Sequence, residues 1–260
     1  MSNRNSPTQD RNFDDITAKF AQNIYGTSKG LIREAIIWQD LEAILATFPP
    51  SQPLTILDAG GGQGQIACKL AKLGHNVTVC DISAQMLDIA KQNAKQAQVE
   101  LTYLHCAIQQ LPSYLANGFD LVICHAVLEW VNDPLPLLIA LKQQLKPNGV
   151  LSLMFYNYHG LLFRTLTLGN FGYVQSGLNK RKKKTLSPDY PRKPEDVYQW
   201  LNALKFHILQ KTGVRVFHDY LVDKTKQQSR FDELLALEKQ FCRDEPYLSL
   251  ARYIHVVARS

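Results

Sequence analysis

The sequence predicts an α/β protein built on a doubly wound, seven-stranded and mostly parallel sheet. A run of β-branched and leucine residues leads directly into a glycine-rich turn over residues 54–64. A second strand, residues 76–81, ends in the carboxylate of Asp81. Further apolar runs alternate with helical patterns along the rest of the chain. Together, a strand that opens on a glycine turn and regular α/β alternation are typical of a parallel sheet covered by helices on both faces.

The remaining elements follow in the order that this fold requires. After the glycine turn, a helix through Ile66 and Leu70 stops at Gly74. Apolar runs predict further strands at residues 101–106, 119–125, 150–155, 207–217 and 250–258. Between the last two strands, residues 230–243 predict a helix with an apolar side formed by Phe231, Leu234, Leu235, Leu237 and Phe241.

Length and composition are typical of one compact domain. The chain has 260 residues, of which 45% are hydrophobic, enough for one large core. We expect a polar tail at residues 1–9, a single domain over residues 10–260 and an insertion at about residues 156–194. No apolar run approaches the roughly 18 residues of a membrane span, and no signal-peptide pattern is present. These features predict a cytoplasmic protein without a membrane partner.

Cysteine and histidine usage gives no indication of a disulfide framework or a metal site. The cysteines are odd in number, lack C-x-x-C spacing and fall mostly in predicted strands or on helix faces. We therefore expect reduced core residues at Cys68, Cys80, Cys106, Cys124 and Cys242. The histidines are scattered along the chain, so no metal is expected.

The glycine turn predicts a ligand site at the carboxyl edge of the sheet. A dinucleotide fingerprint G-x-G-x-x-G that began at Gly60 would need glycine at position 65, which is Gln65. What remains is Asp58 followed by alternating glycines, in the pattern D-x-G-x-G-x-G. This pattern resembles the first motif of class I S-adenosylmethionine (SAM) methyltransferases, which have a Rossmann-like sheet.

Asp81 has two interpretations. A carboxylate at the end of strand two, about twenty residues past the glycines, can accept both hydroxyls of a ribose. Alternatively, Asp81 caps the helix that follows it. Ser83 can fill that capping position, which favours the ribose contact for Asp81.

A block of consecutive cations suggests a polyanionic partner. It consists of Lys180, Arg181, Lys182, Lys183 and Lys184. Such a block cannot pack, so it is exposed and attracted to phosphodiester backbones. The insertion also supplies aromatic rings on which an unstacked base could lie, namely Tyr156, Tyr158, Phe163, Phe171, Tyr173 and Tyr190. The alternative is a solvated loop with no ligand.

Several longer blocks carry a family resemblance. They are RNFDDI (residues 11–16), NIYG (23–26), LDAGGG (57–62), HAVLEWV (125–131), LSLMFYN (151–157) and TGVRVFHDYL (212–221). Together they closely resemble the bacterial tRNA 5-carboxymethoxyuridine methyltransferases, and the resemblance extends over residues 10–259. Residues 1–9 extend beyond the family start, and Gln63 stands where a glutamate is common.

The resemblance implies an enzyme that uses SAM to methyl-esterify the carboxylate of 5-carboxymethoxyuridine at the wobble position of a tRNA anticodon. It also implies cofactor contacts at Arg33, Gly60, Gly61, Asp81, Ile108, Gln109 and His125. The two glycines would let the amino-acid half of SAM lie against the backbone, and Ile108 would form an apolar wall beside the adenine. Without the resemblance, Arg33 would be interpreted as a surface cation. For His125, at the end of strand four, the alternative to a cofactor contact is a satisfied buried histidine.

The implied chemistry needs no general base. A carboxylate with a pKa of about 4 is already ionised at neutral pH, so no side chain must remove a proton. Candidates for the substrate pocket flank the carboxyl edge of the sheet or lie in the family-like blocks, and they are Tyr156, Asn157, Arg164, Arg215 and His218. Two rival functions are a small-molecule O-methyltransferase, which would need an apolar lid, and a non-enzymatic RNA-binding module.

Overall fold

The computed structural model describes residues 26–50, 52–116, 118–178 and 188–260. The predicted tail at residues 1–9 and the basic block at residues 180–184 lie outside this part of the chain. The strands are β1 (Thr55–Ala59), β2 (Asn76–Asp81), β3 (Thr102–His105), β4 (Phe119–His125), β5 (Leu145–Tyr156), β6 (His207–Val214) and β7 (Tyr253–Arg259).

Helices surround these strands in chain order. They are α1 (Ser28–Leu45), α2 (Gln65–Lys72), α3 (Ala84–Ala97), α4 (Leu111–Tyr114), α5 (Pro134–Gln144), α6 (Tyr158–Thr167), α7 (Phe171–Gln175), α8 (Pro194–Ala203), α9 (Lys226–Ser229), α10 (Phe231–Phe241) and α11 (Tyr247–Leu250). None of the helices in the described ranges is long and apolar enough to span a bilayer.

The strands form one seven-stranded sheet in the order β3-β2-β1-β4-β5-β7-β6. The strands β1 to β5 pair in parallel, whereas β7 runs antiparallel to both β5 and β6. The predicted doubly wound, mostly parallel sheet is confirmed. Because the strand order reverses between β1 and β4, their carboxyl ends flank a crevice, which is where ligands bind in this kind of sheet.

Each face of the sheet carries its own apolar layer. On one face, Ile32 and Ile36 of α1 pack against Ile56 and Ile123 of the central strands. On the other face, the helix α5 packs against the same strands through its buried leucines, Leu137, Leu138 and Leu141. The helix α1 is therefore held firmly on the sheet, with its amino-terminal half near the crevice.

The predicted bounds of β2 and β4 are confirmed. Both ends of β3, the end of β5 and the end of β7 differ by one residue, and three other strand ends differ by three residues or more. The strand β5 begins at Leu145 rather than at residue 150, because a register shift in the β4 pairing accommodates the Pro-Asn-Gly segment that resembles a turn. The strand β6 stops at Val214, since Arg215 adopts a φ of 65°. The strand β7 begins at Tyr253 because the residues before it form α11.

The predicted apolar side of α10 is wrong at one position. Leu237 is 44% exposed, whereas the neighbouring Glu238 is fully buried. The Glu238 carboxylate accepts the backbone N–H groups of Val216, Phe217 and His218 at 2.6, 3.0 and 2.7 Å. Just past β6 these N–H groups have no strand partner, and the buried carboxylate satisfies them. The prediction of reduced core cysteines is confirmed, since all five are free and buried.

Candidate active site

The glycine turn after β1 leaves bare backbone at the crevice. Gly60 and Gly62 have φ values of 74° and 54°, in the left-handed region that glycine tolerates best. A Cβ on Gly60 would lie 2.4 Å from the Cγ2 atom of Val127. A Cβ on Gly61 would lie 2.7 Å from the Cγ atom of Asp58. The turn therefore has no room for a side chain at either Gly60 or Gly61.

Asp81 ties the end of β2 to this turn. One carboxylate oxygen accepts the N–H of Gly62 at 2.9 Å, and the other accepts the N–H of Ser83 at 2.8 Å. The hydroxyl of Ser83 in turn accepts the N–H of Met86 at 3.1 Å and caps α3. Ser83 is thus the helix cap, as expected, and the capping alternative for Asp81 is wrong.

A second carboxylate, Asp58, lies beneath the turn at the end of β1. Burial is the larger cause and the negative charge of Asp81 the smaller one, and together they raise the pKa of Asp58 to about 7. Two neighbouring carboxylates make this end of the crevice electronegative. Such an environment favours a cationic ligand.

Every residue that the sequence analysis places at the cofactor lines one cleft of about 1490 Å³, counting the open space at its mouth. These residues are Arg33, Gly60, Gly61, Asp81, Ile108, Gln109 and His125. The cleft also has apolar walls that the sequence analysis missed, formed by Trp38, Met86, Trp130, Val131 and Leu137. Trp130 and Val131 follow the carboxyl end of β4, and this position was the one signal that could have indicated them.

His125 ends β4 and begins a buried polar chain. Its Nε2 lies 2.8 Å from the hydroxyl of Ser152 on β5, which lies 2.8 Å from Nε2 of His255 on β7. The Nδ1 of His255 lies 2.7 Å from a carboxylate oxygen of Asp40 on α1, and Arg243 donates to the other oxygen at 2.7 Å. These contacts fasten α1, and with it Arg33, to three strands of the sheet.

The charge states along this chain follow from its surroundings. Burial raises the pKa of Asp40, but the hydrogen bonds from His255 and Arg243 outweigh burial and lower it, so Asp40 is ionised. Burial and the charges of His255 and Arg33 hold the pKa of His125 well below its usual range, so His125 is neutral. Its Nδ1 is enclosed and has no hydrogen-bond partner. The interpretation of His125 as a fully satisfied core histidine is therefore wrong.

Glu129, which the sequence analysis did not single out, is buried close to the cleft. Burial raises its pKa to about 7, although the charges of Arg33 and Arg192 oppose the shift. One of its carboxylate oxygens lies 3.4 Å from the backbone N–H of Tyr156. A second titratable carboxylate therefore lies within the electrostatic reach of Arg33.

The predicted substrate residues lie along the carboxyl edge, but the cleft lining does not include them. The side chain of Asn157 is fully buried, donates to the carbonyls of Ser249 and Ala251 at 2.8 Å, and accepts the N–H of His159. These contacts make Asn157 a structural residue that joins α6 to α11.

His218 is also fully buried, and its Nε2 lies 3.0 Å from the hydroxyl of Ser28. Burial lowers the pKa of His218 to about 4, so the ring is neutral. Tyr156 ends β5, Arg164 lies on α6 and Arg215 follows β6, so all three lie at the same edge of the sheet outside the cleft lining. The five residues of the basic block lie outside the described part of the chain.

Comparison with known proteins shows which class of protein has this fold. Residues 57–153 match the family model of a methyltransferase domain. The magnesium protoporphyrin IX methyltransferase of Synechocystis PCC 6803, solved with SAH, superposes with a TM-score of 0.65 and 18% identity, covering 95% of each chain. The same enzyme has also been solved with SAM. The fold is that of the class I methyltransferases, and the matched domain is a methyltransferase domain.

Sequence relatives narrow the class to a family. The chain is 56% identical over 253 residues to the tRNA 5-carboxymethoxyuridine methyltransferase of Escherichia coli K12, covering 96% of this chain and 97% of the relative. A ubiquinone biosynthesis O-methyltransferase of Xanthomonas campestris pv. campestris is 28% identical over 61% of this chain and 65% of the relative. The chain belongs to the family of tRNA 5-carboxymethoxyuridine methyltransferases, and the resemblance noted in the sequence is confirmed.

Proposed function

We propose that this protein transfers the methyl group of SAM to the carboxylate of 5-carboxymethoxyuridine at the wobble position of a tRNA anticodon, giving the methyl ester, in the cytoplasm. The observation that carries the proposal is the 56% identity to the Escherichia coli enzyme over nearly the whole of both chains. The ubiquinone-type relatives match only part of the chain, which makes a small-molecule substrate the weaker alternative.

The residues of the cleft fit SAM at its amino-acid and sulfonium end. SAM supplies a methyl group on a cationic sulfonium. The bare backbone of Gly60 and Gly61 admits a ligand at close approach, and Asp58 and Asp81 provide negative charge beside it. Arg33 also lines the cleft, where its guanidinium can form a bidentate pair with the amino-acid carboxylate of the cofactor.

The residues at the other end fit the nucleoside half. Asp81 ends β2 and lines the cleft, where its carboxylate can accept the ribose hydroxyls. Ile108 and Gln109 belong to a short 3-10 helix that follows β3, and the side chain of Ile108 is buried. These two residues would flank the adenine ring.

The side chains of the cleft orient the two reactants and exclude water, and none of them needs to transfer a proton. Because the nucleophile is an ionised carboxylate, it must lose part of its hydration before it attacks. The apolar wall of Trp130, Val131 and Leu137 excludes water from the cleft. Alignment of two bound reactants contributes about 7 kcal/mol or more in favourable cases. We assign no general base.

Methyl transfer to defined RNA tests the proposed function. The purified protein, SAM with a labelled methyl group and anticodon stem-loops that carry 5-carboxymethoxyuridine should give label in that nucleoside alone. A small hydroxylated aromatic acceptor, in this test a catechol, serves as the probe for the rival O-methyltransferase function. Label in the catechol but not in the stem-loop would replace the proposal with the small-molecule alternative, and binding of the stem-loop without transfer would indicate an RNA-binding module.

Affinity for SAM should rise with pH. Free Asp58, with a pKa of about 7, is mostly protonated at pH 6 and mostly ionised at pH 7.5. Because a cationic ligand favours the ionised carboxylate, binding releases a proton, and the association constant should increase by up to about eightfold over this interval. Calorimetry of the wild type and of Asp58→Asn measures the effect.

Asp58→Asn should show a much flatter profile. Glu129, whose pKa is also about 7, is present in both proteins, so its contribution to the pH dependence of SAM affinity is the same in each. Parallel profiles for the two proteins would contradict the assignment of the titration to Asp58.

The basic block at residues 180–184 should contribute to tRNA affinity but not to SAM affinity. We expect its cations to contact phosphates, because five adjacent positive charges attract a polyanion. Replacement of the block by neutral residues should make the slope of log affinity against log salt shallower by about 0.7 to 0.9 per lost phosphate contact. Filter binding at several salt concentrations gives the slope, and an unchanged slope would make the block a solvated loop.

A further inference from the structure

The carboxyl edge of the sheet carries a cluster of arginines beside the cleft. Arg164 comes from α6, Arg215 follows β6, and Arg252 precedes β7. Arg215 donates to both carboxylate oxygens of Asp219, from Nε at 2.8 Å and from Nη2 at 2.6 Å. Burial raises the pKa of Asp219, but the charges of Arg215 and Arg252 outweigh it and hold this pKa low. Asp219 is therefore ionised and is occupied by Arg215.

Arg164 and Arg252 lie at the same edge, and among the described residues neither forms an ion pair with a carboxylate, since Asp219 pairs with Arg215. Tyr220 lies between them, because its hydroxyl donates to the carbonyl of Gly160 on α6 at 3.1 Å and to that of Leu250, two residues before Arg252, at 2.6 Å. Burial and the charge of Asp219 raise the pKa of Tyr220 to about 12, whereas the charges of the two arginines oppose this shift. The Nε of Arg164 and the Nη1 of Arg252 are enclosed, and neither has a hydrogen-bond partner. A buried guanidinium N–H that lacks an acceptor is costly. An oxyanion bound beside these guanidiniums would give such donors an acceptor and would offset their positive charge.

Two tyrosine rings connect this cluster to the cofactor cleft. The guanidinium of Arg252 lies 4.6 Å from the ring centroid of Tyr156, which contacts the ring of Tyr253 edge-on at 5.4 Å. Tyr156 and Tyr253 are cross-strand partners at the ends of β5 and β7. The hydroxyl of Tyr253 is within the electrostatic reach of Arg33 from the cleft and of Arg252 from the cluster. The two sites are therefore neighbours at one edge of the sheet.

We propose that Arg164 and Arg252 form an anion subsite that binds an oxyanion of the wobble nucleotide and positions it beside the cofactor. This inference rests on the proposed function. The anion is the carboxylate that becomes methylated or the phosphate next to it, since both present oxygen acceptors to a guanidinium. Arg215 supports the subsite indirectly, because its pairing with Asp219 leaves Arg252 available. Arg252 is a residue that the sequence analysis did not select.

Binding of three anticodon stem-loops to Arg252→Gln tests the subsite. The stem-loops carry 5-carboxymethoxyuridine, its neutral methyl ester or plain uridine. If the subsite holds the carboxylate, the variant should lose about tenfold or more in affinity for the acid and little for the other two. If it holds a phosphate, all three affinities should fall together, and the salt slope should become shallower. Unchanged affinity for all three stem-loops would overturn the proposal.

Control variants distinguish the loss of an anion subsite in Arg252→Gln from misfolding of the variant and from an incorrect proposed function. Arg230→Gln removes an exposed arginine that pairs with Glu233, and it should behave as wild type. Arg252→Gln should retain the SAM affinity of the wild type in calorimetry. Arg252→Lys, which keeps the charge but not the planar fork, should recover part of the affinity. Failure of the wild type to methylate the acid stem-loop would reject the proposed function, whereas normal methylation by Arg252→Gln would reject only the subsite.

Discussion

Mild alkali should return the methylated wobble nucleoside to its free acid. The reason is the nucleophile, because methylation of a carboxylate gives an ester, whereas methyl groups on a ring atom or on the ribose survive alkali. Nucleoside analysis by mass spectrometry before and after treatment measures the change. A product that keeps its methyl group through this treatment would contradict carboxylate methylation.

The same nucleophile makes activity depend entirely on the carboxymethoxy group. A tRNA with plain uridine at the wobble position should accept no methyl group, since it offers no ionised oxygen at the reacting position. Equal activity on this tRNA and on the tRNA that carries the carboxymethoxy group would disprove the proposed reaction.

The rate of methyl transfer should depend little on pH. At saturating SAM, the rate on the carboxymethoxy substrate should stay nearly constant from neutral pH toward the carboxylate pKa of about 4, within the range in which the protein stays folded.

Gly60→Ala should abolish most SAM binding. The new Cβ would lie 2.4 Å from Cγ2 of Val127, and a contact this short must displace the turn or the wall of the cleft. We expect the affinity for SAM to fall about a hundredfold or more, which corresponds to about 2.7 kcal/mol. Calorimetry measures this loss directly.

Gly74→Ala is the matched control. Gly74 also has a positive φ, of 90°, but a Cβ there meets nothing within 4 Å. Both variants carry the backbone strain of a non-glycine residue, and only Gly60→Ala adds the clash. Adding Val127→Ala removes the clashing methyl and should restore part of the affinity to Gly60→Ala. Equal SAM affinity in the two glycine variants would show that close approach at Gly60 is not required.

Local patterns were sufficient to predict the sheet and a ligand site at the glycine turn and Asp81. The glycine turn and Asp81 follow their strands directly, and the carboxyl ends of parallel strands meet at one edge of the sheet. Residues from Gly60 to His125 therefore come together through strand geometry alone, and the structure places them around one cleft. Ile108, Gln109 and His125 were expected at the cofactor through the family resemblance. Arg33 was expected there on the same ground, and its position also depends on the packing of α1.

The polar chain from His125 to Asp40 and the arginine cluster could not be predicted in this way. His255 and Asp40 are separated by 215 positions, and they meet because β7 inserts between β5 and β6 in the sheet order. The same insertion brings Arg252 beside Tyr156. Alternation of apolar residues defines which segments are strands, but it carries no information on which strands are neighbours. Contacts between distant segments are decided by the global packing of the sheet, because that packing alone fixes the spatial order of its strands.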